Sequence, residues 1–136
     1  MSNTSITKGI HHIGLTVPDL AETRAFFVET LGYEQIGDVP DYPAVFLSDG
    51  ETMVTLWQAE NPDIAVPFDR KNVIGLHHFA LKVDSNEALD EILKKLEAVD
   101  SCEVEFPPEP LGGGATRHMM CYIPGGIRME FIAPAA

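Results

Sequence analysis

Apolar and polar positions alternate along residues 9–17, GIHHIGLTV, and again along 75–83, GLHHFALKV. That period of two predicts half-buried strands whose successive side chains point to opposite faces. Behind each stretch the period lengthens to that of a helix. In DLAETRAFFVETLG, Leu20, Phe27 and Leu31 make an apolar stripe, Asp19 stands at the N-cap and Gly32 marks the stop. In SNEALDEILKKLEA, Ser85 can cap while Leu89, Ile92, Leu93 and Leu96 share a face. Each segment reads as one amphipathic helix of about three turns. Extended stretches follow both. YEQIGDV, AVFLS and ETMVTLWQ are separated by PDYP and the turn Asp49-Gly50. CEVEF, RHMMCYI and IRMEFI are separated by the loop PPEPLGGGAT and the turn Pro124-Gly125-Gly126.

The chain is therefore the same unit written twice: strand, helix, then three strands. The pattern predicts an α+β fold of two βαβββ modules within a single domain over residues 1–136. Module one spans about residues 9–59, a linker about 60–73 and module two about 74–133. The linker stretch NPDIAVPFDRKN is Pro- and Asp-rich, with a helical turn expected near Pro67. Neither module can bury its sheet alone, so two must pack together, within one chain or between two.

Composition narrows the classes of function. With 136 residues, 45% hydrophobic and 22% charged, the chain can bury one core. No stretch approaches the roughly 20 apolar residues of a membrane helix. MSNTSITK lacks the apolar run of a secretory leader, so a soluble, cytoplasmic protein with no membrane partner is expected. Twenty-one acidic residues against nine basic ones give a formal charge of −12, which repels a phosphate backbone and speaks against nucleic acid. Cys102 and Cys121 have neither metal-knuckle nor redox spacing and read as reduced thiols.

Strand geometry sorts the histidines. His12, Gly14 and Thr16 share one face, and Ile13, Leu15 and Val17 the other, which the helix must cover. His78, Ala80 and Lys82 oppose Phe79, Leu81 and Val83 with the same phase. His11 and His77 fall toward the helix side and read as structural. When Asp49-Gly50 is set on Pro124-Gly125, ETMVTLW lies on GIRMEFI and Thr55 falls where Glu130 sits. A carboxylate in mid-strand among apolar residues is costly unless paired, protonated or bound to a cation. Four equivalent positions thus face one space: His12, Thr55, His78 and Glu130.

Two imidazoles and a carboxylate suit a borderline divalent metal, and three protein ligands leave positions open for water and substrate. Taken singly, a strand histidine is more often a half-buried residue with a satisfied hydrogen bond, and Glu130 could pair with Arg128. Their joint appearance at repeat-equivalent positions favours the metal.

The residues also resemble a known family. HHIGLTVPDL followed by a helix and LGY, then GLHHFALKV and a terminal PGGIRMEFI, are similar to the vicinal oxygen chelate superfamily over residues 9–133. That superfamily takes in glyoxalases, extradiol dioxygenases, fosfomycin-resistance proteins, methylmalonyl-CoA epimerases and bleomycin-binding proteins. The resemblance implies two βαβββ modules curled into a half-open barrel around a divalent metal ion, with iron, manganese, nickel and zinc all open. His12, His78 and Glu130 match the ligand positions. Thr55 stands where glyoxalase I and the epimerases place a fourth ligand, and Thr is a poor one. Fosfomycin transferases have a Thr near the substrate where this chain has Gly14, and their potassium-binding loop is not evident here.

The expected activity is that of a metal-dependent enzyme acting on a small substrate chelated through vicinal oxygens, of lyase, isomerase or dioxygenase type. The alternative is a non-catalytic binder of the bleomycin-resistance type, gripping its ligand by shape and aromatic contact. On the cavity-facing phase, Trp57 is a candidate substrate wall, with Tyr122 and His118 sharing one strand face and His118 a candidate base. Trp57 is also the kind of residue that simply packs. No catalytic residue is assigned beyond the ligands. The run Gly112-Gly113-Gly114 lacks the strand-to-helix setting of a phosphate loop and reads as a flap over the cavity. A homodimer is expected, since small members of this family pair and the edge strands need covering.

Overall fold

A computed structural model describes residues 4–135. The expected order of elements is present. Module one comprises β1 (His12–Val17), α1 (Leu20–Ala25) running on into a π-helical turn (Phe26–Thr30), β2 (Glu34–Val39), β3 (Ala44–Ser48) and β4 (Met53–Gln58). Module two comprises β5 (Phe79–Lys82), α2 (Asn86–Glu97), β6 (Glu103–Pro110), β7 (Arg117–Tyr122) and β8 (Arg128–Ala133). Each forms its own mixed four-stranded sheet, ordered β1-β4-β3-β2 and β5-β8-β7-β6. The first strand of each module lies parallel to the last, as a helical crossover permits, and the others are antiparallel.

The caps act as the sequence indicates. Asp19 Oδ1 accepts from the Glu22 amide at 3.1 Å, and Ser85 Oγ from the Ala88 amide at 3.1 Å, satisfying donors that the first helical turn leaves unpaired. In the turn before β4, Asp49 Oδ1 takes the amides of Glu51 and Thr52, and Gly50 adopts φ +100°, a conformation that favours glycine.

Three details differ from the sequence expectation. PPEP is not a loop: β6 continues through it to Pro110, with irregular register between Val104 and Phe106 and again between Phe106 and Glu109. As the outermost strand of its sheet, β6 has a free edge where prolines cost no ladder hydrogen bond. The glycine run is then short enough to close a hairpin, with the Leu111 amide bonded to Thr116 O at 2.8 Å. In the linker, turns form at 62–64 and 70–72 instead of at Pro67, and the Val73 amide bonds to Asp69 O.

One core joins the two modules. Leu15, Val17, Phe26 and Phe27 belong to the same cluster as Ile123, Ile127, Met129 and Phe131, with Leu89 and Leu96 of α2. The modules therefore meet on their helix-covered sides, where Thr23 Oγ1 donates to Pro124 O at 3.3 Å. Fully burying one aromatic side chain such as Phe27 or Phe131 contributes about 1.5–3 kcal/mol. Both free cysteines lie toward this interior, and burial pushes the Cys102 thiol up to about 11 and the Cys121 thiol up to about 12. No helix among the described residues is long and apolar enough to cross a membrane.

Candidate metal site

The open faces of the two sheets carry the chemistry. In module one, β1 and β4 run in register with His12 beside Met53, Gly14 beside Thr55 and Thr16 beside Trp57. Leu15 and Val17 are buried while His12, Gly14 and Thr16 are exposed, so the strand phase is as the alternation requires. In module two, Ala80 lies beside Glu130, and Glu130 beside Met120. Gly14 with Thr55 and Ala80 with Glu130 are thus equivalent neighbours, and the repeat alignment that equates Thr55 with Glu130 holds in three dimensions.

Glu130 is 8% exposed and has two imidazole partners. His118 Nδ1 lies 2.6 Å from its Oε2, and His78 Nε2 3.2 Å from its Oε1. Arg128, two residues away, does not neutralise it. Its guanidinium instead makes a fork to Glu105, Nε to Oε1 and Nη2 to Oε2, both at 2.8 Å. Arg70 from the linker donates to the same carboxylate at 2.9 and 3.1 Å, and the Tyr122 hydroxyl donates to Glu105 Oε1 at 2.9 Å. Hydrogen bonds from Arg128 hold the Glu105 carboxyl at about 2, below the usual carboxylate range. Desolvation and the nearby His78, Arg128 and Arg70 hold the His77 imidazole below its ordinary range.

Thr55 is engaged otherwise. Its buried hydroxyl accepts from Trp57 Nε1 at 2.8 Å and lies 3.5 Å from Ile13 O. The Trp57 indole leans across Gly14, where an added Cβ would sit 3.1 Å from Thr55 Oγ1 and 3.3 Å from Trp57 Nε1. Tyr42 packs edge-on to the indole at 4.6 Å and Phe46 lies at 6.0 Å, which makes an aromatic wall on this face.

The structure therefore brings His78, His118 and Glu130 together and leaves His12 beside His11, at 2.9 Å between their Nδ1 atoms. Among the described residues of one chain, no group of three or more His, Cys, Asp or Glu side chains is arranged to hold a metal. Tyr122 and Trp57 lie on the open faces with their polar atoms tied to Glu105 and Thr55. Sequence reasoning missed Glu105 and Arg70. A signal for Glu105 existed in the alternation of CEVEF, which sets Glu103 and Glu105 on one phase, whereas Arg70 comes from a linker with no period to read.

Two mixed sheets with paired first and last strands, an open face bearing His and Glu, and a covered face joining the modules define a glyoxalase-type protein. The chain belongs to the Glyoxalase/Bleomycin resistance protein/Dioxygenase superfamily, whose family model matches residues 9–131. It is 28% identical over 130 residues to the uncharacterized protein YqjT of Bacillus subtilis, covering 93% of this chain and 99% of that protein. Its fold is similar to a glyoxylase/bleomycin resistance protein/dioxygenase domain from Frankia, with TM-score 0.80, 20% identity and coverage of 93% and 92% of the two chains. It is also similar to a variant of the fosfomycin resistance protein FosX from Listeria monocytogenes complexed with Mn(II) and 1S,2S-dihydroxypropylphosphonic acid. There the TM-score is 0.74, with 22% identity and coverage of 94% and 93%, a likeness of fold.

Proposed function

We propose that this protein is a metal-dependent enzyme whose site is completed by two copies of the chain, with His12 from one and His78 and Glu130 from the other holding a single divalent ion. The observation that carries the reading is Glu130, a buried carboxylate with two imidazole partners and the guanidinium beside it committed elsewhere. Burying a carboxylate is costly unless it is paired, and a cation held by His78 and Glu130 would offset that cost. Two nitrogens and one oxygen fit iron, manganese, nickel or zinc, and the same fold holds Mn(II) in FosX.

Two features support completion by a second copy. The modules of one chain meet on their covered sides, so their open faces do not close on each other. Ile10, Ile64, Val66 and Ile74 are each more than three-quarters exposed near the starts of β1 and β5 and along the linker, an apolar surface that a second chain would cover.

Held by His12, His78 and Glu130, a divalent ion would supply Lewis-acid polarisation of vicinal oxygens on a small substrate. The chain's own groups do the rest. His118 holds Glu130 Oε2 and so fixes the carboxylate, and it is the imidazole best placed to hold a proton near the reacting atoms. Trp57, Tyr42 and Phe46 give the substrate an apolar wall, and Thr55 orients the indole without offering a ligand. The reaction is of lyase, isomerase or dioxygenase type. Titration with zinc or manganese against a chelating dye tests the reading, with about one equivalent expected per chain. Uptake far below that, or full uptake by His78→Ala, contradicts it. Thioester epimers, hemithioacetals and catechols then each test one branch of the chemistry.

A further inference from the structure

Each proposed ligand histidine follows a second histidine, and the chain arranges both pairs alike. His11 Nδ1 lies 2.9 Å from His12 Nδ1, and His77 Nδ1 lies 2.7 Å from His78 Nδ1. The rings meet edge-on, with centroids 5.2 and 5.0 Å apart and interplanar angles of 84° and 68°. Neighbours inside a regular strand point to opposite faces and cannot make this contact. The chain escapes that rule just before each strand: β1 begins at His12 and β5 at Phe79, one residue after His78. Two residues ahead of each pair stands a glycine in a conformation that L side chains rarely adopt, Gly9 at φ +100° and Gly75 at φ +140°. Two segments far apart in sequence thus build the same histidine pair behind the same glycine.

Such a contact is a hydrogen bond only if one Nδ1 carries a proton and the other presents a lone pair. The nitrogen through which His78 would bind a metal decides which. The Nε2 of His78 is the atom 3.2 Å from Glu130 Oε1, while its Nδ1 faces His77. An imidazole that ligates through Nε2 keeps its proton on Nδ1, and that proton needs an acceptor. The geometry points to His11 and His77 as positioning residues: each accepts the Nδ1–H of the following histidine and holds it in the tautomer whose Nε2 lone pair is free for a metal. The acceptor is an imidazole and not a carboxylate. It therefore fixes tautomer and ring angle without adding a second negative charge beside Glu130. This inference rests on the metal reading above and gives His11 and His77 a role beyond the structural one expected of them.

The test uses the full chain and zinc. His77→Phe keeps a flat ring and removes the acceptor, His77→Gln returns an acceptor oxygen, and His11→Phe repeats the first change in module one. Zinc affinity is read by dye competition, with circular dichroism as the check on folding. His77→Phe and His11→Phe are expected to weaken zinc binding by about 10- to 100-fold, and His77→Gln to recover most of that loss. In zinc-loaded wild-type protein, two-bond 1H–15N NMR is expected to show His78 protonated at Nδ1 and bound through Nε2. That spectrum needs no variant to fold. Unchanged affinity in both Phe variants, or a His78 bound through Nδ1, overturns the inference. If wild-type protein takes up zinc and His78→Ala loses it while His77→Phe does not, this inference alone fails. Wild-type protein that takes up no zinc overturns the metal reading with it.

Discussion

The two modules share a fold and divide the chemistry. The open face of module one carries His12 and is otherwise aromatic, with Thr55 and Trp57 against Gly14 and with Phe46 and Tyr42 against the indole. That of module two is ionic, with Glu130 between two histidines and Glu105 between two arginines. Thr55 and Glu130 occupy the same place in their sheets, yet one closes a local hydrogen bond while the other is a buried carboxyl group between two histidines. Duplication supplied two equal scaffolds. Differences at single strand positions gave one an aromatic wall beside His12 and the other a buried carboxylate beside His78.

Their covered faces, by contrast, form one core, so equivalent truncations there are expected to cost the same. Phe27→Ala and Phe131→Ala, both fully buried, should each destabilise by about 3–5 kcal/mol in urea unfolding, with a single transition. Two separate transitions would mean that the modules are independent. The ionic cluster comes next. Glu105 is held at about 2 against an ordinary 4.5, chiefly by Arg128, so its share of stability is complete above about pH 4.5 and lost as the pH falls toward 2. Glu105→Gln should cost on the order of 1 kcal/mol at neutral pH, since the cluster is partly open to solvent, and should flatten the acid limb of the stability curve. An unchanged acid limb would remove the cluster from the account. The smallest effect falls in module one. Thr55→Val breaks the bond from Trp57 and should cost about 1 kcal/mol while altering the indole fluorescence, leaving zinc affinity as it was. A loss of zinc affinity there would make Thr55 a ligand.

Most of the fold was legible because periodicity, caps and turns agree. Asp19, Ser85 and Gly50 sit where their chemistry is wanted, and the repeat allowed each module to check the other. The strand through PPEP was not, because proline is read as a breaker and its tolerance depends on β6 lying at a sheet edge, a tertiary fact. In the site, alternation picked out the face of His12, Thr55, His78 and Glu130. It could not show that the two modules of one chain share a core on their covered sides, since that depends on how whole modules pack. Nor could it pair His77 with His78, because alternation sends adjacent side chains apart and the contact arises where the strand has not yet begun.

The central claim is that a single ion draws on His12 of one copy and on His78 and Glu130 of another. Complementation tests it most directly: His12→Ala and Glu130→Ala chains are folded separately and then co-folded, and bound zinc is measured in each preparation. Neither variant alone is expected to hold zinc, and the mixture is expected to regain part of it, because a mixed pair contains one intact site. A mixture as empty as its parents, beside wild-type protein that binds fully, would contradict the account and return the site to a single chain.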